Sequence, residues 1–186
     1  MSSFEEELDV IVHYPEYSGK GCNIYSIKKP FEQLTEFEIW LLKHKKSKDV
    51  NVKSQANEIE ATLLEIGALG CNPSALRSEN KAKALPFTSI IRKKAGMEPL
   101  VLPSLRLYCY LYGTHTLILF NGGMKTKETV QECPIVRPHF NFANKASAAL
   151  DNLFRKNGII ESALQLDYTK VPPKLVSTYA DIEIVY

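Results

Sequence analysis

The fold turns on two consecutive stretches, Leu105–Tyr112 (LRLYCYLY) and Gly113–Thr129 (GTHTLILFNGGMKTKET). In the first, Leu105, Leu107, Cys109 and Leu111 alternate with Arg106, Tyr108, Tyr110 and Tyr112. A period of two is that of a β-strand, so one face is apolar and the other carries a cation and three phenols. Gly113-Thr114 suits a two-residue hairpin turn. Thr116 to Asn121 then returns as the partner strand, and Gly122-Gly123 breaks or bulges it.

Upstream, Val10 to Tyr14 is β-branched and aromatic, stops at Pro15, and predicts a first strand. Phe31, Leu34, Phe37, Leu41 and Leu42 recur at helical spacing after Pro30, and that helix runs out in the polar stretch Lys43 to Asp49. Ile59, Leu63 and Ile66 mark a second helix stopped by Gly70, so the two form a helical hairpin. Leu85 to Ile91 is an expected strand, and Met97 to Ser104 a loop. Downstream, residues 144–157 predict a last helix with Ala146, Leu150, Leu153 and Phe154 on one side and Gly158 as its stop. Residues 179–186 alternate as an edge strand would. The expected fold is therefore α+β: an N-terminal strand and helical hairpin packed on a small, mainly antiparallel sheet. Residues 1–160 form one domain, and 161–186 a C-terminal extension.

The apolar runs are too short to cross a bilayer, and the acidic N-terminus lacks the order of a secretory signal. Four scattered cysteines with no C-x-x-C spacing argue for reduced thiols in a cytoplasmic protein, without structural metal or other cofactor. The net charge is +2, unevenly spread. Between Arg77 and Lys127 nine basic residues face only Glu79 and Glu98, a local +7. Such a concentration suits a phosphate-bearing or acidic partner. Lys81, Lys83 and Arg92 lie in the loop part of this segment, Lys125 and Lys127 just after the second strand.

On the polar face of 105–112, Arg106 can fork onto phosphate oxygens, and Tyr108 and Tyr110 offer rings on which unpaired bases stack. Cleavage of RNA by its own 2′-hydroxyl also needs proton transfer, for which histidine is the usual choice near neutral pH. His139 follows the sheet and is the candidate. His115 sits in the hairpin turn as a bystander, His13 is structural, and His44 belongs to a solvated charge run.

The stretch 105–129 resembles the sheet of RelE/HigB-type toxins, in which an arginine opens an aromatic strand and a turn, an apolar strand, small residues and a lysine-rich step follow. The order of elements agrees over roughly residues 8 to 160. The resemblance implies a small α+β toxin of a type II toxin–antitoxin system, with an antitoxin protein as partner and mRNA, free or on the ribosome, as substrate. It also implies metal-independent endoribonuclease chemistry. Arg106 matches the strand arginine, and Lys125 and Lys127 match the lysine-rich step. The expected catalytic set is thus Arg106, Lys125 and His139, with Lys81, Lys83, Arg92, Tyr108, Tyr110 and Lys127 contacting nucleic acid. The alternatives are a non-enzymatic ParE-like member that binds a protein, or a phage or mobile-element protein that binds nucleic acid through the same face. The chain is much longer than the smallest members, with a longer basic loop and an added C-terminal extension.

Overall fold

The alternation in LRLYCYLY does form a strand, Ser104–Tyr112, and its return is Thr116–Lys125. A computed structural model of the chain describes residues 10–98, 101–156, 166–167 and 174–175. In chain order the elements are β1 (Val10–His13), β2 (Asn23–Lys28), α1 (Glu36–Lys45), α2 (Val50–Leu69), β3 (Arg77–Glu79) and β4 (Ala82–Leu85). Then come α3 (Ser89–Lys94), β5 (Ser104–Tyr112), β6 (Thr116–Lys125), α4 (Arg137–Lys156), β7 (Leu166–Asp167) and β8 (Lys174–Leu175). Six strands make one sheet in the order β1-β2-β6-β5-β4-β3, and β7 pairs separately with β8. Only β2 and β6 run parallel; every other pair is antiparallel. The α+β class and the mainly antiparallel sheet are as expected, and among the described residues no helix is long and apolar enough to cross a membrane.

The β5–β6 hairpin closes at the pair Tyr112 and Thr116, so its loop is one residue longer than the expected two-residue turn. Gly113 takes a φ of 61° there, which glycine adopts without steric cost. Further along, Leu107 pairs with Gly122 but Cys109 pairs with Leu119, so Phe120 and Asn121 together oppose Tyr108 alone. This β-bulge lies just before the glycine pair. Gly122 is required by it: a Cβ there would stand 2.0 Å from the Arg106 carbonyl oxygen.

Helix α1 begins later than its hydrophobic spacing suggested. Thr35 Oγ1 accepts from the Glu38 N–H at 3.1 Å while Glu38 Oε2 accepts from the Thr35 N–H at 2.8 Å. This reciprocal cap fixes the start at Thr35 and leaves Phe31 outside, exposed and at positive φ. Asp49 caps α2, and Gly70 ends it at a φ of 92°, where Gly70 was expected to stop it.

Both sheet faces are covered. Phe37 and Trp40 of α1 and Ile59, Leu63 and Ile66 of α2 pack with Leu105, Leu107, Cys109, Leu117 and Leu119. On the opposite face Ala143, Ala146, Leu150 and Phe154 of α4 pack with Ala84, Tyr108, Tyr110, Ile118 and Phe120. Each large side chain buried this way contributes roughly 1.5–3 kcal/mol.

Three expectations need correction. Strand β2 was not foreseen, and its pairing with β1 turns the single N-terminal strand into a hairpin. Residues 85–91 are not a strand: β4 ends at Leu85, Pro86 has no N–H to continue the ladder, and Ser89 starts α3. Helix α4 starts at Arg137 rather than near Asn144; Pro138 is tolerated because first-turn N–H groups have no intrahelical acceptor. The Gly158 stop, the terminal strand 179–186 and most of the extension 161–186 lie outside the described residues.

Candidate active site

The tyrosine stripe lies under α4 rather than on an open face. Tyr108 is 0% exposed and meets Phe140 edge-on, with ring centroids 6.0 Å apart. Tyr110 donates its hydroxyl to Asp151 Oδ1 at 2.8 Å, and Tyr112 packs on Phe154 at 4.7 Å. Burial holds the Tyr108 and Tyr110 phenols well above their ordinary pKa, with the bond to Asp151 adding to the effect at Tyr110. These rings form core, not a stacking platform for bases. Alternation located their face correctly but could not say what covers it. Ala143 and Ala146 are the small residues that let α4 come down onto the phenols.

Arg106 is also sealed, at 3% exposure. Its Nη1 donates to Ser104 Oγ at 2.9 Å and to the Leu105 carbonyl at 3.0 Å. Among the described residues its Nε and the Tyr108 hydroxyl have no hydrogen-bond partner. Burial, helped by the like charge of Arg77, brings its pKa down to about 10, while Glu79 works the other way. Burial raises the Glu79 carboxyl against the pull of Arg106, Lys125 and Arg77. The charges of Arg106, Lys125 and Arg77 thus all act on Glu79, and sequence reasoning selected neither Arg77 nor Glu79. Lys125 Nζ donates to the Glu128 carbonyl at 2.6 Å.

The remaining basic residues scatter. Arg92 is buried, bonds both oxygens of the Glu58 carboxylate on α2 and donates Nε to the Glu98 carbonyl at 3.0 Å. It braces α3 against α2 and is not a nucleic-acid contact surface. Lys81 is exposed in the β3–β4 turn, where Asn144 Oδ1 accepts from its N–H and that of Ala82. Lys83, half-buried on β4, neighbours Ser78 and Cys109. Lys127 is exposed beyond β6.

His139 sits elsewhere, at a seam built by the end of the β2–β6 pairing. That pairing stops at Ser26 and Leu119. Ser26 Oγ donates to the Leu119 carbonyl at 2.9 Å and accepts the Phe37 N–H at 3.1 Å, which seats the start of α1 where the strands part. From α4, Phe142 packs edge-on against Phe120. Lys29, just past β2, joins the helices: its Nζ is 2.6 Å from Glu36 Oε1 and 4.1 Å from the centre of the Phe142 ring.

At this seam the charges of Lys43, Glu36 and Lys29 act on His139, and those of Lys43 and His139 act on His44. Burial lowers the His139 pKa; Lys43 and Lys29 push the same way, and Glu36 opposes them. Burial also lowers His44, opposed by its bond to the Trp40 carbonyl and reinforced by Lys43 and His139. Both imidazoles are thus biased toward the neutral form, with the charge of Lys43 acting on each and that of Lys29 on His139. His44 is 4% exposed, not part of a solvated run. The surrounding lysines hid it, although Phe37, Trp40, Leu41 and His44 continue one helical stripe.

His115 is exposed in the hairpin turn, with Nδ1 2.7 Å from the Gly21 carbonyl. His13 bonds Ser18 Oγ at 2.9 Å, and burial drops its pKa to about 4. All four cysteines are free and buried. Burial pushes the Cys133 thiol up, but donors on Thr126, Val136 and Ile135 outweigh it and bring it to about 7. Among the described residues no group of three or more His, Cys, Asp or Glu side chains is placed to hold a metal ion. The chain matches no family model, and neither the curated proteins nor the solved structures contain a match.

Proposed function

We propose that this chain is a RelE/HigB-like toxin of a type II toxin–antitoxin system that cuts mRNA by metal-independent phosphodiester transfer. The observation that carries this reading is His139, half-buried in the first turn of α4, where burial and the charges of Lys43 and Lys29 bias it toward neutral. Transfer by the 2′-hydroxyl needs a base, an acid for the leaving oxygen and cations for the phosphorane. Histidine and lysine supply these at neutral pH. The arginine-led aromatic strand and its lysine-rich return add the resemblance on which the toxin class rests. In this reading the partners are an antitoxin and mRNA, free or on the ribosome, in the cytoplasm.

A second reading draws support from the burial of Arg106, Tyr108 and Tyr110. A chain whose expected working face is core could be a ParE-like or mobile-element protein that binds a partner without cutting RNA. Induced expression separates the two. Growth arrest with cut mRNA, relieved by His139→Ala, supports the nuclease. Arrest with intact mRNA and DNA-damage signalling supports the ParE-like reading, and normal growth removes both.

A further inference from the structure

Strand register gathers one set of polar side chains under the start of α4. Leu105 and Leu107 pack toward α1 and α2, so Ser104, Arg106 and Tyr108 point to the opposite face of β5. Cross-strand partners share a face. Gly123 stands opposite Arg106, and Lys125 opposite Ser104. On the other side of β5, Tyr108 pairs with Ala84, and Ala84 with Arg77; Ala82, packed on the same face, pairs with Glu79. Helix α4 closes over this place. Phe140 of its first turn meets Tyr108 edge-on, and a carbon added at Gly123 would come within 3.2 Å of the Ile135 side chain and 3.6 Å of that of Val136.

Two donors here are left over. Among the described residues Nη1 is the bonded nitrogen of Arg106, on Ser104 Oγ and the Leu105 carbonyl, while Nε and the Tyr108 hydroxyl find no acceptor. Arg106 is 3% exposed and Tyr108 0%. A buried donor without a partner costs about 1–3 kcal/mol, and more when charged. Nor does a carboxylate settle the charge. Among the described residues Arg106, Arg77 and Lys125 form no ion pair with one. Three cations thus share this face with Glu79 alone, and the positive end of the α4 peptide dipoles adds to the excess.

We propose that Arg106 Nε and the Tyr108 hydroxyl bind a monovalent inorganic anion of chloride size between β5 and the first turn of α4. The two residues stand about 6.6 Å apart along the strand, a separation that one ion accepting from both side chains bridges. The ion would balance the buried guanidinium and satisfy both donors at once. Burial this complete excludes a phosphodiester, and the apolar neighbours Phe140 and Val136 favour a weakly hydrated ion. The site is independent of the RNA-cleaving reading: it places a structural counter-ion, not a substrate, at Arg106.

The test follows urea denaturation of the full chain as sodium gluconate is exchanged for sodium chloride at constant ionic strength. Chloride is expected to raise the wild-type midpoint by about 0.5 M urea, as an anion that binds only the folded chain does. Tyr108→Phe keeps the ring in the core and removes one donor. In gluconate it is expected to be at least as stable as wild type, because an unmatched buried hydroxyl is gone. In chloride it is expected to lose most of the wild-type gain. Lys127→Ala, exposed beyond β6, is expected to keep that gain in full. An equal gain in wild type and Tyr108→Phe overturns the site and leaves nonspecific anion binding only. A wild-type midpoint indifferent to chloride also overturns it; if Tyr108→Phe is then destabilised in both salts, the hydroxyl belongs to a buried water instead.

Discussion

The indole N–H of Trp40 donates to the carbonyl oxygen of Arg106 at 2.9 Å, joining α1 to the central strand β5 through a wholly buried bond. The Trp40 carbonyl in turn holds His44, so one residue connects the core to the seam. Trp40→Phe removes the donor and strands a buried carbonyl. The expected cost is about 1–3 kcal/mol, read by urea denaturation, together with a changed His44 titration by NMR. An unchanged His44 titration would show that Trp40 does not position it.

Gly122→Ala should be among the most damaging single changes. Its Cβ would sit 2.0 Å from the Arg106 carbonyl and 2.8 Å from the carbonyl carbon, both backbone atoms of the paired strand. A loss above roughly 3 kcal/mol, or insoluble expression, is expected. Gly96→Ala is the control: its φ is +69° but nothing lies within 4 Å of the added carbon. It should cost only about 1 kcal/mol through the backbone strain of positive φ.

Acid should destabilise this protein over the range where its histidines charge. His13 titrates near 4 when folded, against an ordinary 6.5. Between those values the unfolded chain binds more protons, so stability is full above about 6.5 and falls as pH drops toward 4. The His13 share is roughly 2 kcal/mol after allowance for its partial exposure, and the lowered His44 and His139 act in the same direction. His13→Gln, measured by chemical denaturation from pH 7 to 4, should lose much of this pH dependence. A slope equal to wild type would exclude His13 as a source.

Arg106 is a support for the fold before it is anything else. Arg106→Ala would remove a sealed guanidinium and leave the half-buried Glu79 with less compensating charge. A loss of about 3 kcal/mol is expected. Lys127→Ala, at an exposed position, should stay within about 0.5 kcal/mol of wild type. Loss of toxicity in Arg106→Ala therefore says little about catalysis unless thermal melting shows the variant folded, and a melting temperature equal to wild type would contradict the support role.

The elements legible in the sequence were those whose periodicity is set by one buried face. Leu105 to Tyr112, the return to Asn121, and the α2 stripe Ile59, Leu63 and Ile66 all formed as read. Local signals misled where a cap or a proline decided the matter: Thr35 delays α1, and Pro86 ends β4. What packs on what is a tertiary fact that alternation does not carry. Tyr108 and Tyr110 were placed on the right face and offered as stacking rings, whereas α4 closes that face. The expected catalytic trio fared unevenly for the same reason. Arg106 and Lys125 both act on the Glu79 carboxyl, while His139 lies in the first turn of α4, where its charge acts on His44, a residue hidden by the lysines around it.

The central claim is that this chain cuts RNA without a metal ion. Its most direct test is a translating extract supplied with a defined mRNA and the purified chain in excess EDTA added after translation has begun, with product ends analysed chemically. The account requires new fragments ending in 2′,3′-cyclic phosphate and 5′-hydroxyl, with His139→Gln greatly reducing them. Intact mRNA, or fragments ending in 5′-phosphate, would contradict it.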